Sequence, residues 1–74
     1  MPTLFDLQDQ ESAVILALRL PEAVAARMME LGLFEGQRVT LLRRAPMGDP
    51  LEVQVAGARL SLRGADAKLI EVGP

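Results

Sequence analysis

Residues 51–62 read LEVQVAGARLSL, and this stretch decides the fold. Apolar side chains alternate with polar ones on both sides of Ala56-Gly57, and this period of two is typical of half-buried β-strands. We therefore predict two antiparallel strands joined by a tight connection, a type I turn with Gly57 in the left-handed region. The rest of the chain is interpreted outward from this hairpin.

Strand-like patterns also lie on both sides of the hairpin. Residues 39–44 (VTLLRR) form one predicted strand, and the loop 46–50 (PMGDP), with its prolines and glycine, separates it from the hairpin. After a predicted turn at 64–66 (GAD), residues 69–72 supply a last strand. Residues 13–20 (AVILALRL) are rich in branched apolar side chains and too few for a convincing helix, so we predict a buried strand there.

One helix is predicted between the first and second strands, over residues 22–31. Pro21 suits its first position, because a missing N–H costs nothing there. The apolar residues of this segment follow a helical spacing that predicts a buried stripe: Val24, Met28 and Leu31, flanked by Ala25 and Met29. Gly32 can adopt the left-handed conformation that ends many helices, and the apolar Leu33 follows it.

Residues 1–12 form a polar lead-in that carries one apolar cluster at Leu4, Phe5 and Leu7. The cluster either forms a single turn packed on the domain or belongs to a frayed terminus. With this lead-in, residues 1–74 make one mainly β domain. Short antiparallel strands in so small a domain usually close into a barrel, because an open sheet leaves unpaired edges. We predict a small five-stranded barrel with one helix packed beside it.

Composition excludes most kinds of chemistry. The chain has no histidine, cysteine, tyrosine or tryptophan, so we expect no catalytic residues and no enzyme activity. Without histidine or cysteine, and with its carboxylates scattered along the sequence, we also expect no strong metal site and no cofactor. Weak binding of a divalent ion by two carboxylates stays open.

Charge and hydropathy leave binding to another protein as the expected role. Ten acidic and eight basic residues give a net charge of −2, whereas a nucleic-acid-binding domain usually has a basic excess. The longest uninterrupted apolar run, residues 13–18, is far shorter than the ~20 residues of a membrane-spanning helix. The first residues do not resemble a signal peptide. We therefore expect a soluble, cytoplasmic protein that is not embedded in a membrane and binds no nucleic acid.

Several short motifs, in their order along the chain, resemble the FeoA family. They are ELGL at 30–33, APMGDP at 45–50, LSLR at 60–63 and IEV at 70–72, and the resemblance covers residues 13–72. The chain departs from the family in two turns, since the family often has Pro-Gly where Glu35-Gly36 stands here and a glycine near Gln10.

The resemblance implies an SH3-like barrel and an accessory role in bacterial ferrous iron uptake. In that system the partner is a FeoB-type membrane transporter with a cytoplasmic GTPase domain, which a FeoA-type protein would bind and modulate. The same barrel resembles a domain of some metal-dependent repressors, so the alternative is a regulatory module that senses metal or binds nucleic acid. The net charge of −2 and the absence of histidine count against this alternative.

Large apolar side chains in the turns suggest where a partner would bind. Interface energy usually concentrates in a few such anchors with charged residues around them. The predicted partner-binding residues are Met29, Leu33, Phe34, Arg43, Arg44, Met47 and Asp49. Two other interpretations stay open at this stage. Phe34 would belong to the core if it capped the open end of the barrel, and the arginines would be solvated barrel wall if they paired with Glu52.

Overall fold

The computed structural model describes residues 2–74, which form a five-stranded antiparallel sheet with one main helix. In chain order the elements are a 3₁₀ turn (Leu4–Asp6), β1 (Ser12–Leu18), α1 (Glu22–Glu30), β2 (Arg38–Arg44), β3 (Leu51–Val55), β4 (Ala58–Leu62), α2 (Gly64–Ala67) and β5 (Ile70–Gly73). The strand order is β4-β3-β2-β1-β5. The prediction of a mainly β fold with a helix between the first two strands is therefore confirmed.

The sheet bends but does not close by hydrogen bonds. Register shifts between Ile15 and Ala17 in β1, and between Leu41 and Arg43 in β2, are β-bulges of the kind that curve a sheet. Within residues 2–74, β4 and β5 are the two edges and do not pair with each other. The N-terminal segment lies beside β5 instead, since Thr3 bridges Glu71. The predicted barrel is thus a curved sheet with an opening between its edges.

The core lies against one face of this sheet and follows the period of two read from the sequence. Leu51, Val53 and Val55 of β3 are buried, whereas Gln54 between them is exposed. The lead-in joins the same core, because Leu4 and Leu7 are buried in it and Phe5 packs against it. Of the two alternatives for residues 1–12, the structure therefore shows the turn packed on the domain.

Helix α1 rests on the core by one face and ends in a Schellman motif. Val24, Ala25 and Met28 pack against the core, and Pro21 is the N-cap residue rather than the first helical residue. Gly32 has φ +101°, and its N–H donates to the Met29 carbonyl at 3.0 Å. The Leu33 N–H donates to the Met28 carbonyl at 2.9 Å. These two bonds define the motif and confirm the predicted helix end.

The predicted stripe of α1 is wrong at Leu31, which is exposed. Leu31 is the C-cap residue, with ψ 0°, and the chain leaves the helix there. The helical spacing from Val24, which predicted that Leu31 is buried, therefore does not apply to Leu31. The next apolar residue, Leu33, enters the core in its place.

Two turns also differ from their predicted form. Ala56 and Gly57 have φ 52° and 79°, so their hairpin has a type I′ rather than a type I turn. Only the primed turn matches the right-handed twist of the flanking strands. The predicted turn at 64–66 is a full helical turn, because the N–H groups of Asp66 and Ala67 both donate to the Arg63 carbonyl at 3.0 Å. Leu69 follows it outside β5 and is exposed.

Candidate protein-binding surface

The predicted partner-binding residues lie in two regions, because β2 separates them. Met29 and Phe34 precede β2, whereas Met47 and Asp49 follow it. A strand of this length rises ~3.3 Å per residue, so its ends are on the order of 20 Å apart along the chain. The structure therefore does not bring all the predicted residues together.

The first region, the helix-end surface, consists of Met29, Leu31 and Phe34. Their exposed fractions are 53%, 50% and 40%, which is high for large apolar side chains in one short segment. The Gly36 N–H donates to the Ile15 carbonyl at 2.8 Å and so fixes the loop after Phe34 against β1. Phe34 is thus a surface residue held in place, and the interpretation that buries it as a core cap is wrong.

Leu33 does not belong to this surface, although the sequence placed it there. Its exposed fraction is 0%, and it packs among the largest side chains of the core. The Schellman motif turns it inward directly after Gly32. Sequence reasoning placed Leu31 in the buried stripe of the helix and so missed it as a surface residue. The helical spacing did not indicate that the helix would end one residue before the predicted end.

The second region, the loop pocket, is a shallow depression between the β2–β3 loop and α2. Its volume is about 440 Å³, and it is lined by Phe5, Met47, Gly48, Asp49, Gly64, Ala65 and Lys68. Met47 stands at its rim with 93% of its surface exposed. Asp49 ties the loop to α2, since its two carboxylate oxygens accept the Gly64 N–H at 3.0 and 3.2 Å. Asp49 therefore shapes the pocket.

Arg44 serves the fold rather than the open surface. Its Nη2 donates to the carbonyl of Phe5 and, at 2.9 Å, to that of Leu7. The Phe5 ring also contacts two cations, since the Arg44 guanidinium and the Lys68 ammonium each lie 4.7 Å from its centroid. Such cation–π contacts favour this arrangement of the 3₁₀ turn. Arg44 is therefore committed to holding the lead-in on the domain.

Arg43, its neighbour, points the other way and stays exposed. It faces Glu52 across the β2–β3 ladder, and its Nη2 lies 3.3 Å from Glu52 Oε2. A second ion pair lies beside β5, where Arg19, the residue after β1, donates its Nε–H to Glu71 Oε2 at 2.9 Å. This hydrogen bond raises the pKa of the Arg19 guanidinium. Arg43 therefore has the Glu52 partner that the interpretation of the arginines as solvated wall requires.

Residues 2–74 contain no cluster of three metal-ligating side chains. Within the same residues, no helix is long and apolar enough to cross a lipid bilayer.

Taken together, the curved sheet and its two exposed regions define a small SH3-like β domain. Comparison with protein families identifies it further, since the FeoA domain model matches residues 3–74. The chain belongs to the FeoA family.

Individual relatives agree with this assignment. A fusion protein of Fe(2+) transport protein A and Fe(2+) transporter FeoB, from Porphyromonas gingivalis, is 32% identical over 69 residues. That match covers 93% of this chain but only 8% of the fusion protein. FeoA of Chlorobium tepidum, solved by NMR, has a TM-score of 0.94 and 36% identity, covering 97% of this chain and 69% of that one.

Two further structures show how widely the fold is used. FeoA of Stenotrophomonas maltophilia, solved with zinc and described as a prokaryotic SH3 domain protein, has a TM-score of 0.79 and 37% identity, over 97% of this chain and 89% of that one. A manganese-dependent transcriptional repressor has a TM-score of 0.86 at 16% identity, covering 97% of this chain and 40% of the repressor. At that identity the likeness to the repressor concerns the fold alone.

Proposed function

We propose that this chain is a cytoplasmic accessory protein of bacterial ferrous iron uptake, which binds a FeoB-type GTPase transporter and modulates it. The fusion protein carries this proposal, because it joins an Fe(2+) transport protein A and the transporter FeoB in one polypeptide. Linking two proteins covalently raises the effective concentration of one at the other. An FeoA-type domain that modulates the transporter must also make a non-covalent contact with it.

The helix-end surface is the region best suited to make that contact. Met29, Leu31 and Phe34 provide exposed apolar area, while the Schellman motif and the Gly36 hydrogen bond hold their backbone. A preorganised surface loses little conformational entropy when it binds. Met47 offers a second, flexible apolar side chain at the loop pocket, and methionine adapts well to a partner. Arg43 assists orientation from its exposed position on β2.

Binding to the intact transporter tests the proposal. The FeoB-type transporter of the same organism is reconstituted in nanodiscs, and the purified chain is titrated onto it without nucleotide, with GDP and with a GTP analogue. We expect saturable binding that changes with the nucleotide, because a modulator must distinguish states of the GTPase. Modulation is read from the GTP hydrolysis rate. Saturable binding in none of the three states would contradict the proposal.

Single substitutions then locate the surface. We expect Phe34→Ala to weaken binding about tenfold, as truncation of an interface anchor commonly does, and Met47→Ala to weaken it less. Leu69→Ala is the matched control, since Leu69 has the same 40% exposure as Phe34 but lies before β5. Circular dichroism confirms that each variant folds. If Phe34→Ala and Met47→Ala both fold and bind like the wild type, the contact lies elsewhere on the domain.

A further inference from the structure

The outer side of β4 is an open edge of the sheet. β4 pairs with β3 alone among residues 2–74, and the strand order places it at the end of the sheet. The opposite edge is partly covered, since Val72 N–H donates to the Pro2 carbonyl at 3.1 Å. An edge strand with free backbone groups is a template for pairing with another chain.

The register of the hairpin determines which backbone groups face outward. Val55 and Ala58 flank the two-residue turn and therefore exchange both hydrogen bonds, as does every second pair after them. Arg59 and Ser61 occupy the positions between, so their N–H and C=O groups point away from β3. Within residues 2–74 no backbone hydrogen bond outside the strand ladders reaches them. Each offers one donor and one acceptor to an incoming strand.

A cleft of about 380 Å³ separates this edge from the main helix. Its walls come from three elements and are lined by Val24, Arg27, Met28, Ser61, Leu62, Arg63 and Asp66. Val24 and Met28 supply half-buried apolar surface on the helix side. Clefts between a sheet edge and a helix are suited to extended peptides, because backbone bonds give affinity and wall side chains give specificity.

The charge on the cleft favours an acidic occupant. Arg27 and Arg63 are exposed, and neither forms an ion pair with a carboxylate of residues 2–74. Asp66 is the one acidic residue among the lining side chains. Arg59, on the open edge itself, is also exposed and without an ion pair in the described part of the chain. Complementary charge selects among partners and orients them as they approach.

We propose that the cleft between α1 and β4 binds an extended acidic segment of a partner protein, which adds to the sheet as a further strand. The backbone of the segment exchanges hydrogen bonds with Arg59 and Ser61. Its apolar side chains rest on Val24 and Met28, and its carboxylates meet the guanidinium groups of Arg27 and Arg63.

Peptide titration followed by NMR tests this site directly. The probe is a capped heptapeptide of alternating Glu and Val, titrated into the ¹⁵N-labelled full chain. We expect the amide signals of Arg59 and Ser61 to shift and their hydrogen exchange to slow at least fivefold, because both N–H groups acquire an acceptor. A peptide of alternating Lys and Val is the control. No shift at millimolar peptide, or equal shifts with both peptides, would overturn the proposal.

Charge reversal inside and outside the cleft supplies the second test. We expect Arg63→Glu to weaken binding of the acidic peptide about fivefold or more, whereas Arg38→Glu leaves it nearly unchanged. Arg38 is exposed at the start of β2 and does not line the cleft, so both variants change the net charge equally. Equal weakening by the two variants would show that net charge alone attracts the peptide, and would overturn the site.

Proline at the edge tests the backbone contact itself. Ser61→Pro removes a donor that faces outward and leaves the β3–β4 ladder bonds in place, as proline is tolerated at strand edges. We expect loss of peptide binding in a folded protein. Retained binding in the folded variant would overturn strand addition. If Ser61→Pro does not fold, the exchange rates of the Arg59 and Ser61 amides in the wild-type chain decide the question, and unslowed exchange with bound peptide would overturn strand addition.

A second copy of this chain is the competing occupant of the edge. If the Arg59 and Ser61 amides become protected with rising protein concentration and no peptide, the edge pairs with itself and the proposal fails. The peptide experiments contain no transporter, so their outcome is separate from that of the transporter titration.

Discussion

Two constraints act at Gly32, and any substitution there is subject to both. Its φ of +101° disfavours any side chain, and a Cβ built there would lie 3.1 Å from the Ala56 Cβ. We expect Gly32→Ala to lower the free energy of unfolding by about 1 kcal/mol from the backbone conformation alone, and further from the close contact. Urea denaturation followed by circular dichroism measures the change.

Gly36→Ala separates the two constraints. Gly36 has φ +91°, but a Cβ there would meet nothing within 4 Å. Gly36→Ala therefore measures the free-energy cost of the backbone conformation without that of the close contact. We expect Gly32→Ala to be the more destabilised variant. Equal losses would show that Ala56 moves aside easily. An unchanged Gly32→Ala protein would show that the helix ends in another way.

Residue conformations are predictable from sequence where the residue type itself favours them. Glycine followed by an apolar residue after a helical pattern predicted the left-handed Gly32. Ala56 and Gln10 have φ 52° and 70°, yet neither residue type favours positive φ, so neither conformation could be predicted from the residue type. Gln10 is held there by contacts distant in sequence, since its N–H and side-chain amide both bond to β2 carbonyls, those of Leu41 and Leu42.

At the scale of elements, adjacent arginines on β2 have opposite roles. Arg44 donates to two carbonyls of the lead-in, whereas Arg43 pairs with Glu52 on the exposed face. We expect Arg44→Ala to destabilise the protein by about 1.5–3 kcal/mol, the range for hydrogen bonds to charged groups. Hydrogen exchange of the Leu7 amide, which bonds to the Leu4 carbonyl, should also accelerate because the 3₁₀ turn loosens.

Arg43→Ala is the control for this prediction. Its ion pair is largely exposed, so we expect a change within about 0.5 kcal/mol and normal exchange at Leu7. Arg44→Lys keeps the charge but loses the planar fork that reaches two carbonyls, and should fall between the two. If Arg44→Ala is as stable as Arg43→Ala, the lead-in is held by Leu4 and Leu7 alone.

Long alternating segments were predictable as elements, whereas helix α2 was not. Residues 51–62 alternate between apolar and polar side chains because one face of the hairpin is buried. This alternation can be read directly from the sequence. Helix α2 has four residues, which are too few for any periodic pattern. Its Gly64 N–H donates to the carboxylate of Asp49, which belongs to another loop. The same limit applies to the lead-in, which is hydrogen-bonded by Arg44 from far along the chain.

At the scale of the whole molecule, the candidate surface could be predicted only in part. Sequence reasoning identified exposed apolar residues at two loops, and Met29, Phe34 and Met47 are indeed exposed. It joined them into one surface, although β2 lies between the two loops and separates them in the fold. The cleft between α1 and β4 was not predicted at all, because it depends on where the helix packs.

Leu4 tests how much the whole domain depends on its first residues. Its side chain is fully buried, although it precedes β1 by several residues. We expect Leu4→Ala to cost about 2–5 kcal/mol, which approaches the ~3–5 kcal/mol that a single core of this size supplies. The variant should therefore be largely unfolded near 37 °C, as thermal unfolding by circular dichroism would show. Leu69→Ala, at a half-exposed position outside the core, should stay within about 0.5 kcal/mol of the wild type. A Leu4→Ala protein that melts like Leu69→Ala would mean that the lead-in only covers a core complete without it.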